Sequence, residues 1–371
     1  MPALVASILI SRKRILLGAV YLLATIQFAW CYFWLTHPYI NTALYEQGHE
    51  RMPFQGRLLM MLPMRLSHTS VVLRAWGHLF RVSSFWFPRP VAPEVILQAI
   101  INVICLLLAG YFTTRIYRAS SRHGLLTPLV YPLFLVACAA TYVMHTVQNF
   151  RFIYDLPSLA FFSAGLYLLY FRRPVGWFVG LFLVATINRE TTLLLLPLFL
   201  INEAVELRPG ANGPIRWRKL FAPRSLAVVL PLSLFWIGWQ YLVRHHFAHN
   251  ASEFYPRLNW NVKSLVLPQA WPQLLSASAY MLLFVIVMHR RITDARLRAW
   301  LWILPVWTLF MFVYGILVET RVFGELIPYT VCCSTLILEQ ILLARLHDAR
   351  PALAAWNTGR PVETPRIGRV A

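Results

Sequence analysis

Long apolar runs alternate with short polar connections along most of this chain. The runs approach the length of roughly 20 residues with which a helix crosses the hydrocarbon core of a bilayer. Helices are the expected spanning elements, because hydrocarbon offers no hydrogen-bond partner to an open backbone. The pattern predicts an all-α polytopic membrane protein with about ten spans, at residues 15–35, 94–114, 125–147, 156–171, 175–187, 191–203, 225–243, 272–289, 299–317 and 325–344.

The fifth and sixth predicted spans are short, and only Asn188-Arg189-Glu190 separates them. A single span over 175–203 is the alternative, but it would reverse the orientation of everything that follows. The basic stretch 216–224 would then lie outside, against the tendency of Lys and Arg to remain in cytoplasmic loops. The charge distribution therefore favours a helical hairpin.

Composition agrees with a membrane protein, since 58% of the 371 residues are hydrophobic and only 13% are charged. The net charge of +20 raises the question of nucleic acid, but the positions of the charges argue against such a partner. With the N-terminus inside, the inner segments hold 22 of the 34 Lys and Arg residues. Half of the other 12 lie in one long loop, where they count little. This distribution predicts a multi-pass membrane protein with both termini in the cytoplasm.

The long outer loop, residues 36–93, is too apolar for a disordered segment. Val72, Trp76 and Leu79 follow helical spacing with charged residues between them, which is typical of a helix lying in the membrane interface. Pro63 is expected to separate this helix from an earlier apolar stretch. We therefore predict one transmembrane domain, residues 1–345, with two interfacial helices in the outer loop and a solvated cytoplasmic tail, residues 346–371.

Four polar clusters fall at the predicted outer face, where charge near hydrocarbon needs an explanation. The acidic residues in these clusters also have ordinary structural explanations. Asp155 suits the positive end of a helix dipole, and Glu190 and Glu319 can each pair with a neighbouring arginine. Glu46 and Glu50 can be solvated loop residues. The clusters are Tyr45 to Arg57, Asn149 to Pro157, Asn188 to Thr191, and Glu319 to Glu325.

Taken together, the four clusters indicate a functional site. Three of their connections are very short, which holds the charged groups near the membrane surface and near one another. Arginine forks suit phosphate, and a nearby carboxylate suits a general base or a divalent cation.

The layout of a first span, a long outer loop with acids and interfacial helices, and many further spans resembles that of the GT-C membrane glycosyltransferases. The likeness covers about residues 15–345, and short motifs resemble those of bacterial membrane proteins with this layout. These motifs are Pro53-Phe54-Gln55-Gly56-Arg57-Leu58-Leu59, Tyr154-Asp155-Leu156-Pro157, Asn188-Arg189-Glu190-Thr191 and Glu319-Thr320-Arg321-Val322-Phe323-Gly324-Glu325-Leu326-Ile327-Pro328.

The resemblance implies a protein of the bacterial inner membrane that transfers a sugar from a polyprenyl-phosphate donor to a glycan, lipid or protein acceptor on the extracytoplasmic face. It assigns the catalytic base to Glu50, or failing it Glu46, although the acidic pair usual in this loop is missing here. Asp155 would position the acceptor or help to hold a divalent cation, Mg²⁺ or Mn²⁺. The remaining substrate-binding and phosphate-binding residues would be Arg57, Arg189, Arg321, Glu190, Glu319, Asn188 and Tyr154.

Two other classes of function stay open from the sequence. A non-catalytic membrane partner in cell-envelope polysaccharide assembly would keep the fold without needing a cavity. A transporter would need polar groups near the bilayer midplane and related halves of the chain, and the sequence has no convincing internal symmetry.

Overall fold

The computed structural model describes residues 2–83, 90–144, 150–205, 216–253 and 255–357, and most of these are helical. Two two-residue strands, β1 (His37–Pro38) and β2 (Phe150–Arg151), pair in parallel. The α-helices, in chain order from α1 to α16, are Pro2–Leu35, Thr42–Gln47, Met61–Ser67, Val71–Ser83, Pro93–Ser120, Thr127–Tyr142, Asp155–Tyr170, Val175–Asn188, Leu195–Ala204, Pro223–His246, Leu258–Val266, Trp271–Leu275, Met281–Val287, Ala295–Ala299, Ile303–Tyr314 and Ile327–Asn357.

Several helices are long and apolar enough to cross a membrane, which agrees with the predicted all-α membrane protein. Among the described residues there are five such stretches, and they coincide with the first, second, seventh, ninth and tenth predicted spans. They are Ile15–Leu35, Pro93–Ser120, Pro223–His246, Ala295–Tyr314 and Thr320–His347.

The other predicted spans are shorter or broken. Helices α6 to α9 have 16, 16, 14 and 10 residues. The last residues of the third predicted span, 145–147, lie outside the described residues. The eighth predicted span is wrong as a continuous helix, because five residues separate α12 from α13 and three of them, Ser278, Ala279 and Tyr280, have positive φ. Hydropathy records how apolar a segment is, and a left-handed break among apolar residues leaves no mark in it.

Both terminal helices extend beyond their predicted ends. Helix α1 begins at Pro2, and α16 continues to Asn357. The predicted boundary at residue 346 therefore falls inside a helix, since polar side chains end an apolar run without ending a helix. Residues 358–371 of the predicted tail lie outside the described residues.

The chain reverses direction between α8 and α9, as the predicted hairpin requires. Arg189 is extended (φ −159°), and a 3₁₀ segment, Glu190–Leu194, leads into α9. Phe178 near the start of α8 stacks on Phe199 near the end of α9, with ring centroids 5.2 Å apart. The Asn202 Nδ2 donates to the carbonyl oxygen of Leu169 at 3.1 Å, so α9 ends beside the end of α7. The connection at Arg189 consequently lies at the end of the bundle where α7 begins.

The outer loop contains three short helices, α2 to α4, where two were predicted. Pro63 lies in the first turn of α3, where a missing N–H costs no hydrogen bond, so it does not separate two helices. On α4, Val72, Trp76 and Leu79 are exposed, as expected of an apolar face turned towards lipid.

A small aromatic core fixes the outer loop to the start of α7. Tyr45, Phe54 and Met64 of the loop are buried together with Phe152 and Tyr154. The Tyr45 hydroxyl donates to the backbone carbonyl of Arg57. The pairing of β1 with β2 adds backbone hydrogen bonds at the same place. This packing holds the motif around Arg57 against the motif around Asp155.

Candidate active site

A cavity of about 840 Å³ lies at the end of the bundle where α7 begins and α8 ends. It is bounded by the outer loop, the α8–α9 connection, α10, α15 and the 3₁₀ segment Thr320–Leu326. Five arginines and three glutamates line it: Arg57, Arg189, Arg244, Arg257, Arg321, Glu190, Glu253 and Glu319. We call this space the outer cavity.

Arg57 and Glu190 form a two-bonded ion pair on one wall of the outer cavity. The Arg57 Nε donates to one Glu190 carboxylate oxygen at 2.9 Å, and its Nη2 donates to the other. The guanidinium also lies over the Tyr154 ring, 4.1 Å from its centroid. Trp236 of α10 donates to the Glu190 carbonyl at 3.0 Å, which holds this turn in place. Burial alone would raise the pKa of Glu190, but the Arg57 charge outweighs it and holds that pKa below its ordinary value.

Arg189 connects two fully buried carboxylates behind the cavity wall. Its Nη1 lies 3.2 Å from the Asp155 carboxylate and 2.9 Å from that of Glu325. Glu325 also accepts hydrogen bonds from Ser158 (3.0 Å) and Thr191 (2.9 Å). A buried charge is tolerated only when it is paired and hydrogen-bonded. This network therefore fixes α7, the α8–α9 connection and the segment before α16 relative to one another.

The Asn188 side chain supports the same junction without lining the cavity. Its Nδ2 donates to the backbone carbonyl of Tyr154 at 3.2 Å, and the residue is fully buried. The structure thus gives Asn188 a role in joining α8 to the start of α7.

Arg321 faces the cavity from the 3₁₀ segment before α16. Its Nε donates to Glu319 at 2.9 Å, and its Nη1 lies 3.7 Å from Asp155. The guanidinium stands 3.7 Å from the centroid of the Phe152 ring. Trp307 anchors the segment by donating to the Val322 carbonyl at 2.9 Å. Asp155 is thus shared between Arg189 and Arg321, and it does not line the cavity itself.

The predicted bases Glu50 and Glu46 are not among the residues that line the outer cavity. Glu50 is buried and accepts hydrogen bonds from the backbone amides of Asn41 (2.8 Å) and Arg51 (3.1 Å), and from the Arg51 Nε (3.2 Å). Glu46 contacts His68 at 2.9 Å. The structure brings Arg57, Arg189, Glu190, Glu319 and Arg321 to the cavity and leaves the two loop acids outside it.

Glu253 is a cavity carboxylate that sequence reasoning missed. It accepts hydrogen bonds from the Tyr39 hydroxyl (3.1 Å) and from Arg51, the same arginine that Glu50 holds. Burial and the nearby Glu253 charge raise the pKa of Tyr39, which keeps its hydroxyl a donor. The only sequence signal was the polar stretch around Asn250, whose amide donates to the carbonyls of Gly48 (2.9 Å) and Glu50 (2.8 Å).

Two smaller spaces adjoin the outer cavity. An apolar groove of about 460 Å³ between α9, α10 and α15 shares Phe310 and Tyr314 with it. A pocket of about 230 Å³ shares Arg57 and Glu190 and extends to Asn250. The cavity therefore has an apolar neighbour on one side and a polar one on another.

Cation-binding side chains do not cluster in the part of the chain that the structure describes: no group of three or more His, Cys, Asp or Glu has the geometry to hold a metal ion. The three cavity glutamates each contact an arginine instead. The predicted Mg²⁺ or Mn²⁺ stays a prediction.

Comparison with protein-family models gave no match, and no curated protein or solved structure matches the chain either. The functional argument therefore depends on the chemistry of the outer cavity and its two neighbouring spaces.

Proposed function

We propose that the protein is an integral membrane glycosyltransferase that uses a polyprenyl-phosphate-linked sugar. The observation that carries the proposal is the junction of an arginine-lined cavity with an apolar groove. A donor of this class has a phosphate and a hydrocarbon chain joined directly, and these two adjoining spaces match its two parts.

The phosphate would lie among Arg57, Arg189 and Arg321. Each of these guanidiniums contacts at least one carboxylate, so each is oriented before any ligand arrives. Preorganised donors of this kind act most strongly on charge that develops in the transition state. The departing lipid phosphate carries such charge.

The prenyl chain would occupy the groove between α9, α10 and α15. Its lining is almost wholly apolar and includes Leu196, Leu200, Val306 and Leu309. Leu309 and other side chains of α15 are also exposed on the outer surface of the bundle. A chain in this groove would thus have direct access to lipid.

The acceptor would be activated by Glu253, the cavity carboxylate that a tyrosine and an arginine position. Glu253 takes the proton of the acceptor hydroxyl while the acceptor oxygen bonds to the anomeric carbon. The bond between that carbon and the phosphate oxygen breaks, and the electron pair leaves with the polyprenyl phosphate. Glu50 would act through Arg51 as a positioning residue. The direct role for Glu50 that the family resemblance implies stays a competing prediction.

Asp155 would also act through its partners. Because it contacts Arg189 and Arg321 from outside the cavity lining, it orients the two phosphate-binding arginines. Contact with the acceptor, the other role predicted for Asp155, would require it to face the cavity.

Binding of polyprenyl phosphate to the purified protein tests the proposal without knowledge of sugar or acceptor. We expect the phosphate to bind at least tenfold more tightly than the matching polyprenol, and Arg321→Gln to remove most of this difference. Lys263→Gln is the control, since Lys263 is an exposed basic residue outside the cavity lining. Equal affinity for the two lipids would overturn the proposal.

Transfer assays with polyprenyl-phosphate hexoses then separate the two candidate bases. Glu253→Gln should bind polyprenyl phosphate normally and lose transfer by about 10²-fold or more, the usual contribution of a general base. Glu50→Gln should lose less and keep its dependence on pH. If Glu50→Gln is inactive and Glu253→Gln is active, the family assignment is right and Glu253 is not the base. Normal lipid binding without transfer to any acceptor would favour a non-catalytic partner.

A further inference from the structure

A second polar pocket lies at the end of the bundle opposite the outer cavity. It has a volume of about 310 Å³ and is formed where α7 and α9 end and α10 begins. Arg172, Lys219 and Arg224 line it, with Glu203 as its one carboxylate and Ser225 at its wall. A side pocket of about 160 Å³ shares Arg172, Glu203 and Arg224. We call the larger space, of about 310 Å³, the basic pocket.

Hydrogen bonds to two backbone carbonyls fix the segments that form the pocket. Arg172 has a positive φ of 47°, and its Nη2 donates to the Val205 carbonyl at 3.0 Å. The Arg216 amide donates to the Ala204 carbonyl at 2.9 Å, which returns the chain to the end of α9. These contacts fix two walls of the pocket.

The groups that face the pocket are suited to an anion. Ser225 is 97% buried, since its exposed fraction is 3%, and it lines the pocket beside the cations. It lies in the first turn of α10, and the Ala222 cap of this 24-residue helix offers no side-chain acceptor. The positive end of the helix dipole and the hydroxyl of Ser225 therefore favour the same kind of ligand as the cations, an anion.

Exposed aromatic side chains lie on or next to the segments that line the basic pocket and its side pocket. Trp217 and Trp302 contact each other edge to face at 5.3 Å, and each is about half exposed. Phe221 is 72% exposed and Trp177 is 70% exposed. Tryptophans and other aromatic residues in such positions are typical of the interface between hydrocarbon and water. A pocket at the depth of lipid headgroups would have such neighbours.

We propose that the basic pocket binds the headgroup of an anionic glycerophospholipid of the phosphatidylglycerol type. Arg224, Lys219 and the Ser225 hydroxyl bind the phosphate, and the acyl chains lie beside Trp217 and Phe221. Glu203 accepts a hydrogen bond from a headgroup hydroxyl, which gives the single carboxylate a function among three cations. The site is independent of the glycosyltransferase proposal, because it shares no residue with the outer cavity.

A free phosphate fits these observations less well than a lipid. It would use the cations and the serine, but it would leave the exposed aromatic side chains without a partner. Basic residues near the membrane surface attract anionic lipid, so Lys219 and Arg224 account for a preference over neutral lipid.

Native mass spectrometry of the full-length protein in detergent tests the site, with phosphatidylglycerol and phosphatidylcholine as probes. We expect phosphatidylglycerol to bind at least tenfold more tightly than phosphatidylcholine. Arg224→Gln with Lys219→Gln should reduce that preference at least tenfold, and Ser225→Ala, which removes a single oxygen atom, should reduce it a few-fold. Arg290→Gln with Arg291→Gln is the matched control, because these exposed arginines are outside the pocket.

Two results would overturn the proposal. An equal loss of lipid preference in the control variant would mean that the preference depends only on the net charge of the protein. Competition by soluble glycerophosphoglycerol at the concentrations at which the lipid binds would mean that the pocket holds a free anion. If the double variant fails to fold, which loss of a monodisperse peak would show, Ser225→Ala decides: an unchanged lipid preference would contradict the site.

Discussion

At the scale of single residues, the outer cavity is built from arginines whose charges are already paired. Arg57, Arg189 and Arg321 each contact a carboxylate, and two of them lie against aromatic rings at about 4 Å. The pairing stabilises the buried guanidiniums and also fixes their directions. A phosphate that enters the cavity would add a partner to each arginine without requiring it to move.

The Arg57–Glu190 pair makes stability depend on pH in a direction that follows from its charge. Because Arg57 lowers the pKa of Glu190 in the folded protein, the pair stabilises the fold above the ordinary pKa of 4.5, and this stabilisation is lost as pH falls through the lowered value. In Arg57→Gln the buried Glu190 has no cation beside it and its pKa should rise. We expect this variant to lose about 2–4 kcal/mol at pH 7, somewhat below the range for a fully buried pair because a fifth of the Glu190 side chain is exposed.

Melting temperatures in detergent between pH 3 and pH 7 measure this effect. The acid limb of the curve should move to higher pH in Arg57→Gln. The double variant with Glu190→Gln should recover part of the loss, since it removes the unpaired charge. Identical acid limbs in wild type and Arg57→Gln would show that the pair does not control Glu190.

At the scale of elements, short connections explain what could be predicted and contacts over long sequence separations explain what could not. Arg189 and Arg321 reach one cavity because each lies in a short turn at the same end of the bundle, and the charge pattern had already placed those turns together. Glu253 comes from a loop some 200 residues from Glu50, and no periodicity links the two. The break at Ser278 to Tyr280 could not be predicted for another reason. The segments on either side of it are apolar enough to read as one continuous span.

Gly324 shows how closely two elements approach at the site. A Cβ at this position would lie 2.0 Å from the Tyr142 hydroxyl oxygen and 2.6 Å from its ring. Tyr142 is buried in α6 and has little freedom to move. We expect Gly324→Ala to destabilise the protein by about 1–3 kcal/mol, the usual cost of overpacking. Because the same turn carries Arg321 and Glu325, affinity for polyprenyl phosphate should also fall.

Gly180→Ala is the matched control for this substitution. A Cβ at Gly180 would meet no atom within 4 Å, and the position is inside α8. There alanine should be neutral or stabilise the helix by up to about 1 kcal/mol. Equal melting temperatures for the two variants would mean that the contact between Gly324 and Tyr142 is looser than the structure gives.

At the scale of the whole molecule, polar groups are gathered at the two ends of a helical bundle. The outer cavity lies at one end. At the other, Arg296 and Asp294 contact Tyr170, and Glu339 binds the connection between α5 and α6 through Ser121 (2.5 Å). Described segments that are rich in Lys and Arg, 172–173, 216–224 and 290–298, lie at this second end, together with the basic pocket. A membrane between the two ends accounts for both groups.

This arrangement predicts an orientation of the protein in the membrane, which labelling can test. His249 is exposed at the end that carries the outer cavity, and Arg290 is exposed at the opposite end. In a cysteine-free background, His249→Cys should react with a membrane-impermeant maleimide in intact cells, whereas Arg290→Cys should react only after permeabilisation. The positive-inside rule sets this expectation, since the cationic connections at the Arg290 end should stay in the cytoplasm. The opposite labelling pattern would place the outer cavity in the cytoplasm, where a soluble nucleotide-linked sugar would be the more accessible donor, and the proposed use of a lipid-linked donor would lose its topological basis.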